Sequence, residues 1–154
     1  MIDLPADFRD VLVCLHDAGA QFVVVGGHAV AFHGHPRATK DLDVLVRATA
    51  DNAERVYRAL MQFGAPLESF SVKVEDFARY EGVLQIGVAP LRIDILTRLS
   101  GVSFEEAYAD AASFVLDGRE IRVIGASALV KNKLATGRAQ DLADAAALRG
   151  RTPG

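Results

Sequence analysis

The most constraining feature of the chain lies between residues 22 and 46. A β-branched apolar run at 22–25 is closed by Gly26 and Gly27; such residues fit the pleated surface of a strand better than a helix. Residues 28–32 then predict about two turns of helix. Beyond a polar stretch, residues 41–46 alternate polar and apolar and end in an apolar run. That pattern marks a strand whose first end reaches solvent. A strand, a glycine turn, a short helix and a second strand in so few residues form a tight unit built around one sheet.

The flanking sequence extends this unit. Residues 6–18 carry Phe8, Val11, Leu12 and Leu15 at helical spacing, with Pro5 suited to the first turn and Gly19 as the stop. Asp51 and Glu54 give a capping-box-like start to a helix that runs to Phe63 and ends at Gly64. Between 66 and 82 only a loop with a helical turn near 75–79 is predicted. Residues 83–88 and 91–97, separated by Ala89 and Pro90, predict two adjacent strands. Ser103 and Glu106 make a second capping box for a helix to Ala111. Asp117-Gly118 between apolar runs predicts a hairpin, and the tail, about 126–149, is helical and divided by Gly137. The fold class is α+β: a mixed sheet with helices packed on it and a short C-terminal helical segment.

With 154 residues, 51% of them hydrophobic and 24% charged, the composition predicts one well-packed domain over 1–154 and excludes disorder as the main state. Seventeen Lys and Arg against 20 Asp and Glu leave a net charge of -3, which excludes nucleic-acid binding through bulk basicity. Cys14 is the single cysteine, expected as a buried thiol in a reducing, cytoplasmic compartment. The acidic amino terminus does not have the form of a signal peptide. The apolar stretch at 22–32 is interrupted by Gly26, Gly27 and His28 and is too short for a bilayer.

Chemistry concentrates between Gly26 and Asp43. Residues two apart on a strand share a face, so Asp41 and Asp43 direct both carboxylates to one side while Leu42 and Val44 face the core. Hard oxygen ligands so spaced suit Mg²⁺ or Mn²⁺. Taken alone, two solvated aspartates at a strand start are the commoner outcome. Three neighbouring features change the balance. Gly26 and Gly27 open a helix, where small residues and free N–H groups let a phosphate approach. Arg37 and Lys40 place two cations just before the carboxylates. Asp94 lies within an apolar strand, where a carboxylate must be paired or bind a metal. A salt bridge to Arg92 or to an arginine of another strand is the competing account of Asp94.

These residues resemble the minimal nucleotidyltransferase superfamily, the polymerase-beta-like fold. The resemblance rests on Gly26-Gly27, on Arg37-x-Thr39-x-Asp41-Leu42-Asp43 and on Asp94 in an apolar strand. The tail bearing Lys133, Arg138, Asp141 and Asp144 is similar to the closing helical motif of the small bacterial branch that includes abortive-infection toxins. The resemblance spans roughly 20–148. It implies that Gly26 and Gly27 cradle nucleotide phosphates, and that Asp41, Asp43 and Asp94 bind metal, Asp94 also assisting deprotonation of the acceptor hydroxyl. It further implies that Lys133 contacts phosphate or positions the acceptor with support from Asp141, and that Thr39 and Lys40 flank the nucleotide. His28 stands where many members carry Ser, and is expected to donate a hydrogen bond to the nucleotide.

From the residues themselves, Lys133, Arg138 and Asp141 equally predict a surface ion-pair cluster. His33 and His35 are expected as solvated loop histidines. The implied activity is metal-dependent transfer of a nucleoside monophosphate from an NTP to a hydroxyl, releasing pyrophosphate. The acceptor is a tRNA end, a protein, or a small molecule such as an aminoglycoside or lincosamide, with a partner protein or homodimer completing the acceptor surface. The other reading is a non-catalytic nucleotide- or partner-binding module of a toxin–antitoxin pair. No membrane role is expected.

Overall fold

A computed structural model describes residues 4–35, 41–79, 83–86 and 91–150. The sheet begins with β1 (Phe22–Val25) and β2 (Leu42–Val46), which run antiparallel and place Val25 beside Asp43. All four residues of β1 are buried, and only Asp43 in β2 is not, so both faces of the sheet centre are covered. That explains the continuous apolar run. Strand β3 (Val83–Ile86) pairs antiparallel with β4 (Ile93–Leu96), and β4 lies parallel to β2. The hairpin β5 (Ala112–Leu116) and β6 (Arg119–Val123) joins the other side of β1. The order is β3-β4-β2-β1-β6-β5, the mixed sheet expected. Residues 87–90, which include the predicted Ala89-Pro90 link, lie outside the described residues.

Helix α1 (Ala6–Asp17) buries Phe8, Val11, Leu12 and Leu15 as their spacing requires, with Pro5 as its N-cap. Cys14 is half-buried rather than enclosed, and burial pushes its thiol up. Helix α2 (Gly26–Phe32) starts at the first glycine of the turn. The start of α3 (Ala50–Phe63) differs from the expectation: the cap is Thr49, whose side chain accepts from the Asn52 N–H, not the Asp51–Glu54 pair. A threonine hydroxyl one residue before the helix reaches that donor directly. Gly64, at φ 99°, ends α3.

Buried Asn52 accepts from the Gln21 N–H and donates to the carbonyls of Gln21 and Arg47. It thereby ties α3 to the start of β1 and the end of β2 with its polar atoms satisfied.

A 3₁₀ turn, Val74–Ala78, occupies the region predicted as a loop with a helical turn. Helix α4 (Phe104–Ala109) begins with the expected Ser103–Glu106 capping box. Asp117 and Gly118 both take positive φ, 49° and 78°, in the tight turn of the β5–β6 hairpin. Helices α5 (Ala126–Thr136) and α6 (Ala139–Arg149) pack on one another, and Gly137, left-handed at φ 69°, separates them. Among the described residues no helix is long and apolar enough to cross a membrane.

Candidate active site

The end of β1, the start of α2 and the polar face of β2 and β4 form one wall of a cleft of about 550 Å³, and α5 and α6 supply another. Asp41, Asp43 and Asp94 line it, together with Gly26, Gly27, Lys133 and Asp141. Parallel pairing of β2 and β4 sets Asp43 directly beside Asp94. Like charges in that relation repel. Burial raises the Asp43 carboxyl most, the charge of Asp94 and a hydrogen bond with it raise it further, Asp41 adds to this and Lys133 opposes it. The result is a carboxyl held at about 7, which marks negative charge confined away from water.

Gly26 is the second structural requirement. Its φ is 70°, and a Cβ there would stand 2.1 Å from the Asp43 Oδ2. The glycine is needed both for the left-handed turn and for the room its missing side chain gives the carboxylate. Gly26→Ala is expected to displace Asp43 and lower the transfer rate at least tenfold, while destabilising the protein by about 1–3 kcal/mol. Steady-state kinetics and thermal melting check the two effects; a fully active, equally stable variant contradicts the fit.

Lys133 and Asp141 are buried, which overturns the surface ion-pair expectation for these two. Lys133 Nζ lies 2.9 Å from Asp141 Oδ1 and 3.4 Å from Asp144 Oδ2, and the Asp144 side chain is fully enclosed. Asp141 also accepts from the Thr136 hydroxyl at 2.6 Å and from Arg138 Nε at 2.8 Å. Arg138 itself is exposed. Burial raises the Asp141 carboxyl, but the hydrogen bonds from Thr136, Lys133 and Arg138 outweigh it and hold the group at about 2. The lysine is thus fixed between two carboxylates and directed at the cleft that also holds Asp43.

The histidines depart from expectation. The His28 ring is buried, meets the Phe8 ring edge-on at 5.6 Å and is not part of the cleft lining. Its Nε2 lacks a hydrogen-bond partner among the described residues, and burial lowers its pKa. At the third position of α2 the side chain falls on the core-facing side; only its backbone belongs to the turn. His33 is partly buried and its Nε2 bonds the Ile124 carbonyl at 2.7 Å, tying the end of α2 to the segment after β6. His35 Nε2 lies 3.9 Å from Asp144. Arg37, Thr39 and Lys40 lie outside the described residues.

Sequence reasoning gave Arg92 too small a part. Its guanidinium meets Asp94 Oδ1 through Nε at 3.0 Å and Asp41 Oδ2 through Nη2 at 3.1 Å. The signal was its place two residues before Asp94, which puts both on one face. As the side chains stand, no group of three or more His, Cys, Asp or Glu among the described residues is arranged to enclose a metal ion. The donor chemistry nevertheless fits a hard divalent cation: carboxylate oxygens converge from two strands, and burial together with the neighbouring Asp94 raises the Asp43 carboxyl.

The strand–Gly-Gly–helix turn facing carboxylates on neighbouring strands is the arrangement the sequence resemblance implied, and a family match makes the protein an enzyme of the nucleotidyltransferase class. The match of one family model narrows this further. The chain belongs to the aminoglycoside-2''-adenylyltransferase family, matched over residues 7–148. Its fold is similar to that of a lincosamide antibiotic adenylyltransferase, LnuA, solved with lincomycin bound, at 13% identity and TM-score 0.58, covering 97% of this chain and 98% of that one. A candidate nucleotidyltransferase of Thermotoga maritima is similar at 16% identity and TM-score 0.56, covering 93% and 88%. No curated protein matches the chain. The superfamily expected from the sequence is borne out; the toxin branch is not what the family match supplies.

Proposed function

We propose that the protein moves an adenylyl group from ATP to a hydroxyl of a small aminoglycoside-type acceptor, releasing pyrophosphate. The observation that supports this best is the in-register pair Asp43–Asp94, seated against Gly26 in a cleft that also contains Asp41 and Lys133. In this reading Asp41, Asp43 and Asp94 hold Mg²⁺ or Mn²⁺, which when bound neutralises developing phosphate charge. Gly26 and Gly27 let the nucleotide phosphates approach the backbone at the start of α2, with Arg37, Thr39 and Lys40 beside them. Lys133 adds a fixed cation for phosphate, and Asp141 holds it in place. Asp94 accepts the acceptor's proton.

The family's name directs the acceptor to an aminoglycoside rather than to tRNA or protein. A cleft of small-molecule size suits a small acceptor, and the net charge of -3 disfavours extended RNA contact. A cytoplasmic location accords with ATP as the donor. The test is incubation with α-³²P-labelled ATP and Mg²⁺, with tobramycin, lincomycin, tRNA or total protein as acceptor. Label on tobramycin that disappears with EDTA is expected. Label on tRNA or protein instead overturns the acceptor, and transfer that survives EDTA overturns the metal.

Gly27→Val is expected to weaken ATP binding about tenfold or more, because a branched side chain blocks close backbone approach. Calorimetric titration measures this, and unchanged affinity removes Gly27 from the site.

A further inference from the structure

We propose that Arg92 is a built-in counter-cation that holds Asp41 and Asp94 together in the nucleotide-free enzyme, competes with the divalent metal for them, and thereby makes metal binding conditional on nucleotide. This rests on the reading of the three carboxylates as metal ligands.

Three observations carry it. First, one guanidinium spans both strands, with Nε 3.0 Å from Asp94 Oδ1, Nη2 3.4 Å from Asp94 Oδ2 and Nη2 3.1 Å from Asp41 Oδ2. A cation so placed neutralises the carboxylates from which a divalent ion would take its oxygens, so arginine and metal are alternatives for the same electrons. Second, among the described residues Arg92 pairs directly with Asp94 and Asp41, while Asp43, hydrogen-bonded to Asp94, feels its charge only at longer range. The cluster is therefore only partly neutralised by the protein itself, and it retains a demand for positive charge. Third, the Arg92 side chain is 40% exposed while the Asp94 side chain is 11% exposed. The carboxylate is fixed in the strand, whereas the part-exposed arginine head sits on a long side chain that can swing into the cleft.

A polyphosphate supplies what the arginine needs on leaving. Arg92 lines the same cleft as Gly26, Gly27 and Lys133, and a guanidinium pairs with phosphate oxygens in the same forked geometry that it uses for carboxylates. When a nucleotide arrives with its metal, the metal takes Asp41 and Asp94 and the arginine turns to the phosphates. A lone metal ion offers no such exchange and must displace the arginine into water.

The test is Mn²⁺ binding by the full chain, followed by the electron paramagnetic resonance of free Mn²⁺, without nucleotide and with α,β-methylene-ATP, alongside thermal melting. Wild type, Arg92→Gln, Arg92→Lys and Asp43→Asn are compared. Arg92→Gln is expected to bind Mn²⁺ about tenfold more tightly than wild type without nucleotide. The ATP analogue, which tightens Mn²⁺ on wild type, is expected to add little in that variant. Arg92→Lys keeps the charge and is expected to keep the wild-type pattern. Equal Mn²⁺ affinity of wild type and Arg92→Gln, with the analogue still recruiting Mn²⁺, overturns the proposal alone. A lower melting temperature in Arg92→Gln without tighter Mn²⁺ shows a structural role and also overturns it. No Mn²⁺ binding by wild type even with the analogue, or binding unaffected by Asp43→Asn, overturns the metal reading and this proposal with it.

Discussion

Asp43→Asn is expected to abolish nucleotidyl transfer, by about a thousandfold or more, and at the same time to raise the melting temperature of the metal-free protein. The two effects have one cause. Asp43 faces Asp94 across the β2–β4 pairing and is half-buried, so its charge is held against both desolvation and repulsion. An amide removes the charge and can still donate to Asp94. The gain is about 1–3 kcal/mol at pH 8, or about 3–8 °C.

The pH dependence has a definite sign. The folded protein holds the Asp43 carboxyl at about 7 against an ordinary value of 3.8, so the folded state binds this proton more tightly than the unfolded chain. The stability it contributes is fully present below pH 3.8 and is lost as pH rises through about 7. Wild type should therefore gain stability relative to Asp43→Asn as pH falls from 8 to 5. His28 works the other way: burial lowers its pKa from 6.5, and stability is lost as pH falls below that value. It does so in both proteins, and their difference isolates Asp43. A melting-temperature difference that stays constant across this range contradicts the assignment, and unfolding of Asp43→Asn shows that the carboxylate is structural.

Lys133→Met is expected to have the second large effect, a loss of about 3 kcal/mol or more and a melting temperature lower by about 6–12 °C. Lys133, Asp141 and Asp144 are nearly sealed from solvent. Removing the cation leaves two buried carboxylates without it, Asp141 keeping Thr136 and Arg138 and Asp144 keeping Gln140 as hydrogen-bond donors. The methionine preserves the volume, so the loss reads charge rather than a cavity. Asp141 gives the measurement an acid-side signature. Its carboxyl is held at about 2 against an ordinary 3.8, so its stabilisation is present above pH 3.8 and is lost as pH falls through about 2. That acid-side loss should be shallower in Lys133→Met. Denaturant titrations at pH 7 and pH 3 decide it: a variant as stable as wild type at pH 7 means the lysine contributes nothing to the closure of the helical pair.

What could be foreseen from the sequence was local. The strand–Gly-Gly–helix turn, the Asp-x-Asp strand and the Asp117-Gly118 hairpin each state their geometry within a few residues, because periodicity and positive-φ chemistry act at that range. The partners of those elements were not legible in the same way. Parallel pairing of Asp43 with Asp94 joins distant segments through backbone register, which no local pattern encodes. The tail was the extreme case, since Lys133 and Asp141 carry the same side chains whether they face water or a cleft, and only the packing of α5 on α6 decides. His28 misled for a related reason: being next to a functional turn in sequence fixed where its backbone lies, while helical phase sent its ring towards Phe8.

The cleft draws on the turn after β1, on β2 and β4, and on the helical pair α5–α6. A ribosome producing this chain therefore makes the acidic wall long before the lysine that tempers it. Until the last two helices dock, the acidic cluster on the sheet has Arg92 as its cation, with no basic side chain from α5 facing Asp43. Catalytic competence is then a property of the finished molecule and has no partial form. Any event that lifts α5 and α6 from the sheet, whether thermal opening or proteolysis at the Gly137 turn, silences the enzyme before its sheet has melted. Activity, followed during gentle heating, should vanish ahead of the main unfolding transition, which makes the terminal helices the natural fuse of the fold.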